Sequence, residues 1–192
     1  MTHPSPDPAV ERFHATNGRV SGYVGLGCAV LVLALAINSW HAEHAPAVAV
    51  AAVLGALLVW AALLRPAVWV SGDDLVLRNM FHTDHVPLTA ITKVAVGQVL
   101  AVVAAGRRYT SPVIGYSVRQ TVKTRRARGD QPVPTATDTY QVFVEERIVH
   151  LAHERRELAG GAADRAVRRT LAWPEIAAGA VLVVVLVVAL LV

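Results

Sequence analysis

Two apolar runs lie back to back near the N-terminus, Val24–Trp40 and Ala47–Leu64, and a third, Ile176–Val192, carries no charge at all. At 1.5 Å per residue, about 17–18 apolar residues make roughly 26–27 Å of helix, close to the hydrocarbon thickness of a bilayer. No soluble domain of this size needs three such stretches. The polar link His41-Ala42-Glu43-His44-Ala45-Pro46 makes a hairpin of the first two runs, and the polar stretch Arg65–Trp173 separates them from the third. A cleaved signal peptide is the competing reading of the first run, because Ala34-Leu35-Ala36 loosely resembles a cleavage site. Its length exceeds the usual apolar core of about 7–15 residues, however, and only Arg12 and Arg19 precede it, so a retained span is expected.

Charge sets the expected orientation. Of the eighteen Lys and Arg, sixteen fall between Arg65 and Trp173, two in the N-terminal tail and none in the 41–46 link. Basic residues stay on the cytoplasmic side, which places the tail and the central region inside, and the link and the C-terminus outside. Trp173 suits an interfacial anchor, Pro174 a first helical position and Glu175 the positive end of a helix dipole. The formal charge of +4 suggests an anionic partner. Cys28, the one cysteine, lies in the first span, so no intramolecular disulfide supports the fold.

The period of the pattern changes after Arg65-Pro66. Val68-Trp69-Val70, Ser71-Gly72-Asp73-Asp74 and Leu75-Val76-Leu77-Arg78 read as strand, turn and strand. Further β segments are expected at Thr83–Leu88, Ile91–Val96, Val99–Ala104 and Arg108–Ile114; Thr89-Ala90-Ile91 reads alternatively as a short turn. Spacings near ten residues with no helical pattern between them predict an antiparallel meander. From Tyr116 to Thr137 the apolar pattern fails, and a loop or disordered segment is expected. A helix beginning at Asp138 and ended by Gly160-Gly161 would place Tyr140, Val144, Ile148, Leu151 and Leu158 on one face about 80° wide.

The run Arg65-Pro66, Leu75-Val76-Leu77-Arg78-Asn79, Val86-Pro87-Leu88, Ile91 and Val94–Val96, with Gly106–Thr110 closing a later strand, resembles the bacterial pleckstrin-homology-like (PH) domain. The resemblance is to actinobacterial membrane proteins of the low-molecular-weight protein antigen type, in which two spans precede the domain. It covers roughly residues 20–115, with Leu88 standing where that family usually has Trp. It implies a small β-barrel-like fold closed by a helix, and no catalytic activity.

The expected protein is therefore an α+β membrane protein. A tail at 1–20 leads to a transmembrane hairpin at 21–64, with spans near 22–40 and 47–64. A cytoplasmic PH-like domain follows at 65–159, with an insertion at 116–137, then a juxtamembrane linker at 160–173 and a span at 174–192.

Catalytic motifs are missing: there is no phosphate-binding loop, nucleophile elbow or His-Glu-x-x-His. A thiolate zinc site is excluded by the single cysteine, and no cofactor is expected. Glu146, His150, His153 and Glu157 share a polar arc of the helix, and His41, Glu43 and His44 share the link; a solvated face and a polar hairpin explain them more simply than a metal. The candidate contacts for anionic headgroups are Arg107, Arg108, Arg119, Lys123, Arg125, Arg126 and Arg128. Without interleaved aromatics, this cluster does not suit nucleic acid. The function expected is a non-enzymatic, membrane-tethered binding or scaffolding module, whose partners are the bilayer and either anionic lipid or a protein. The alternative is an accessory subunit of a larger membrane complex.

The charge distribution makes a testable statement about topology. In a Cys28→Ala background, a cysteine replacing Ala42 should react with an impermeant thiol reagent in intact cells. A cysteine replacing Gly129 should react only after permeabilisation. The reverse pattern would reject the orientation.

Overall fold

The computed structural model describes residues 10–16, 18–115, 136–160 and 165–191. These divide into two compact units. One comprises the described parts of 1–17, 67–79 and 83–170; the other comprises 18–66, 80–82 and 171–192.

The second unit is helical. Helices α1 (Arg19–Asn38) and α2 (Ala45–Val59) form the hairpin, and α2 continues into a π-helical turn over Trp60–Leu64. The wider turn is closed by the Arg65 N–H donating to Trp60 O at 2.8 Å. Gly22 and Gly25 of α1 lie against Leu63, Leu64 and Val59, which brings the two helices close at that end. The last helix, which we number α4, spans Trp173–Leu191. Helix α2 packs against both α1 and α4, and α4 buries no residue. Counting the π turn with α2, all three are long and apolar enough to cross a membrane. Their boundaries lie within a few residues of the expected runs. At one end of this unit Arg65, only 8% exposed, donates from Nε to Glu175 Oε1 at 2.9 Å and from Nη1 to Met80 O at 3.0 Å.

The first unit is α+β with two antiparallel sheets. Its strands are β1 (Glu11–Phe13), β2 (Ala67–Ser71), β3 (Asp74–Arg78), β4 (His82–Pro87), β5 (Ile91–Val96), β6 (Leu100–Ala104), β7 (Arg107–Ser111) and β8 (Arg168–Leu171). One sheet has the order β1-β2-β3-β4-β8 and the other β5-β6-β7. The expected single meander is thus two sheets, separated by a 3₁₀ turn at Leu88–Ala90. The segments read as tail and juxtamembrane linker each contribute an edge strand that alternation did not reveal.

Local chemistry explains the register. Strand β5 buries Ile91 and Val94, a spacing of three that simple alternation forbids. A bulge between Ile91 and Lys93 absorbs the extra residue, so that both apolar side chains reach the core. Ala105 and Gly106, with φ of 48° and 71°, connect β6 to β7 as a two-residue turn of the twist that suits a hairpin. Strand β7 stops at Ser111, short of the expected Ile114, because Pro112 has no N–H to continue the ladder. Val113 and Ile114 remain buried beyond it. The next residue closes the core: a Cβ on Gly115 would lie 2.0 Å from Gln98 O.

Helix α3 (Ala136–Leu158) begins two residues before the expected start and covers the core with Val144, Ile148 and Ala152. Tyr140 and Leu151 pack at the flank, but Leu158 is 74% exposed, and the expected stripe is corrected there. Gln141 is fully buried instead, donating from Nε2 to Gly115 O at 2.6 Å. The helix is tied to both sheets. Arg147 meets Glu11 of β1 at 3.0 Å, the Tyr140 hydroxyl accepts the His14 N–H, and Glu145 Oε2 accepts the Val96 N–H at 3.0 Å.

Three substitutions test this packing by thermal unfolding of the detergent-solubilised full chain. Ile148→Asp should destabilise by about 3–5 kcal/mol, because it buries an unpaired charge. Leu158→Asp should stay within about 0.5 kcal/mol of the parent. Gly115→Ala should cost at least about 2 kcal/mol, since the backbone around Gln98 has to move.

Candidate functional site

Most arginines of the β unit have structural employment. Arg169 of β8 forms a two-point contact with Asp84 of β4, at 2.6 Å from Nε and 3.2 Å from Nη2. Asp84 is 1% exposed, and its hydrogen bond holds the Arg169 guanidinium above its ordinary pKa. The hydrogen bond from Arg147 to Glu11 does the same for Arg147. Arg155 and Arg165 both contact Asp73, Arg168 contacts Asp74, and Arg156 donates to the carbonyls of Thr89 and Ile91. The contact with buried Asp84 pins β8 to β4, whereas the arginines at Asp73 and Asp74 are partnered at the surface.

Lys93, Arg107 and Arg108 differ: all three are exposed and form no ion pair among the described residues. Their strands decide where the charges point. Lys93 is paired with Val103, and Val103 with Arg108, so these three form one row across β5, β6 and β7 on the face away from the core. With strands about 4.8 Å apart, the Lys93 and Arg108 backbones are roughly 10 Å apart. Ala95, Ala101 and Thr110 form the next row on that face, with Ala101 buried and the other two exposed. Arg107 pairs with Ala104, whose side chain is buried, and therefore projects from the opposite face at the rim. The structure thus separates Arg107 from Arg108, which sequence proximity had grouped.

Arg119, Lys123, Arg125, Arg126 and Arg128 lie outside the described residues. Lys93 is the member that sequence reading missed. Its signal was available only through the β5 bulge, because simple alternation from Ile91 would turn Lys93 toward the core. The outward row offers two positive charges on a rigid sheet with Val103 between them. That arrangement can attract an anionic group.

The histidines of the described residues gather no ligand set. Glu146, His150, His153 and Glu157 are all exposed, and His153 Nε2 lies 3.1 Å from Glu157 Oε1. His41, Glu43 and His44 are likewise exposed, and no group of three or more potential metal ligands comes together among the described residues.

Comparison with known protein families, with curated proteins and with solved structures yields no match.

Proposed function

We propose that this chain is a non-enzymatic, membrane-anchored binding module whose β unit is a PH-like domain facing the cytoplasm and engaging anionic headgroups. The observation that carries the reading is the outward row of Lys93 and Arg108, which form no ion pair among the described residues, whereas Arg147, Arg155, Arg156, Arg165, Arg168 and Arg169 are engaged by carboxylates or carbonyls. The PH-like assignment is supported by element order. Strands β1–β4 precede a three-stranded β5-β6-β7 sheet, and one amphipathic helix follows with its apolar face on the core. A multi-pass location in the cell membrane is supported by three helices of spanning length and by the placement of basic residues. Because the spans already hold the chain at the bilayer, contact between this face and headgroups sets the orientation of the domain rather than its residence. Each basic residue near an anionic surface contributes about 1 kcal/mol at low salt.

A second reading, an accessory subunit packed in the membrane plane, is favoured by Gly27 and Gly55, whose missing side chains would meet nothing within 4 Å. Purification in mild detergent separates the two: a stoichiometric membrane partner supports the subunit reading, and its absence supports the binding module.

The full chain held in phosphatidylcholine nanodiscs should co-float with phosphatidylcholine–phosphatidylglycerol vesicles and not with phosphatidylcholine vesicles. The Lys93→Gln/Arg108→Gln variant should lose most of that association. Added salt should weaken it in the parent, because exposed charges are screened within about 8–10 Å near physiological ionic strength. Equal flotation of parent and variant would exclude this face as the contact.

A further inference from the structure

A second cluster of cations lies at the C-terminal end of α3, and the function proposed above does not use it. Asp73, in the turn between β2 and β3, is clamped by two guanidinium groups, one on each oxygen. Arg155 Nη1 lies 2.7 Å from Oδ1, and Arg165 Nη1 lies 3.5 Å from Oδ2. Pro87, Thr89, Leu158 and Ala159 complete the walls of an open cleft of about 260 Å³. Arg156 adds a third positive charge beside it, fixed by the carbonyls of Thr89 and Ile91 rather than by a carboxylate. Two guanidinium groups therefore clamp one carboxylate, and a third follows Arg155 in the helix.

Two features are unexplained if Asp73 is only a structural partner. The clamp is exposed, with Arg155, Arg165 and Asp73 retaining 40%, 66% and 47% of their accessibility, so it contributes little to stability. Leu158 sits at its lip, 74% exposed, although it lies on the helix that supplies core residues. A pair of arginines that each grip one oxygen of a shared anion is the arrangement that receives phosphate, and a neighbouring apolar wall fits a phosphate carried on an apolar group.

We propose that this cleft is a binding site for a phosphomonoester borne on an apolar group, with the Asp73 carboxylate occupying the anion position when no ligand is bound. The phosphate displaces Asp73 and takes Arg155 and Arg165 as its two charged partners. Arg156 supplies long-range attraction, and Leu158 contacts the apolar part of the ligand. Displacement is easy because a weak, solvated ion pair is exchanged for a dianion held by the same two groups. Asp73 thereby excludes singly charged carboxylates, which gain nothing over the resident one.

The test uses the full chain in phosphatidylcholine nanodiscs, with phenyl phosphate and inorganic phosphate as soluble probes measured by calorimetry. Vesicles of phosphatidylcholine with phosphatidic acid, a phosphomonoester lipid, serve as the membrane-borne probe, read by co-flotation. Arg155→Gln/Arg165→Gln should weaken binding by more than about tenfold. Asp73→Asn should tighten it by about three- to tenfold, a gain that a misfolded variant cannot give. Leu158→Ser should weaken phenyl phosphate but not inorganic phosphate, and Lys93→Gln/Arg108→Gln should leave phenyl phosphate binding unchanged. Arginine-dependent binding of phenyl phosphate assigns a soluble ligand, and arginine-dependent binding of phosphatidic acid alone assigns a lipid headgroup. The proposal is overturned if neither probe binds, if the double arginine variant binds as the parent does, or if Asp73→Asn binds no more tightly.

Discussion

The pairing of Glu11–Phe13 with Val68–Val70 is the constraint on which the β unit depends. It makes the two apolar helices an insertion between neighbouring strands of one sheet rather than a segment appended to a finished domain. The strand is short, yet it brings much with it. Phe13 is buried in the core, Glu11 receives Arg147, and the His14 N–H reaches the Tyr140 hydroxyl. Thr16 continues the contact by donating its N–H to Val113 O and sharing its hydroxyl with Gly115. Closing a loop that contains two helices costs entropy only logarithmically with its length, so a few well-satisfied contacts suffice to hold it. A fragment beginning at residue 66 would lack these contacts and would expose the edge of β2.

The same logic explains which parts of the fold were legible in the sequence. The three apolar helices announce themselves by length and continuous apolarity, the two properties a membrane-crossing helix needs, and nothing else in the sequence imitates that pattern. Strands β2, β3, β5 and β6 were recognisable from runs of β-branched residues between turn residues. Strands β1 and β8 were not, because three or four residues cannot establish a period. Strand β8 in addition buries none of its side chains. On α3 the expected face was misaligned in a specific way. Taking Tyr140 as zero at 100° per residue, the expected residues cover about 0–80°, whereas Val144, Ile148, Gln141 and Ala152 cover about 40–120°. The buried side was less apolar than its flank, since it includes an amide and an alanine. Tertiary packing on Gly115 overrode hydrophobic contrast.

The candidate site was legible as a charge excess but not as a surface. Sequence reading counts arginines; only the fold separates those already bound to Asp73, Asp74, Asp84 and Glu11 from those left to solvent. Arg107 and Arg108 illustrate the loss, being adjacent in sequence and on opposite faces of β7. Lys93 illustrates the gain, since one bulge brings a lone lysine into line with Arg108. A count of basic residues thus overstates the charge available to a ligand, while sequence proximity misjudges where the remainder points.

Strand β8 brings these considerations together. With no buried side chain, it gains little from the hydrophobic effect and is held by its ladder with β4 and by polar contacts from Arg168, Arg169 and Thr170. Only the contact with Asp84 is strongly shielded from water, and a hydrogen bond to a charged group contributes about 1.5–3 kcal/mol. Elements with few buried apolar contacts open at free energies well below global unfolding. The core of α3, β2, β3 and β6 can therefore remain intact while β8 detaches, and Asp84 determines how rarely that happens. A carboxylate 1% exposed is costly, and here it converts a weak edge into a specific one: Arg169 and no apolar residue can satisfy it.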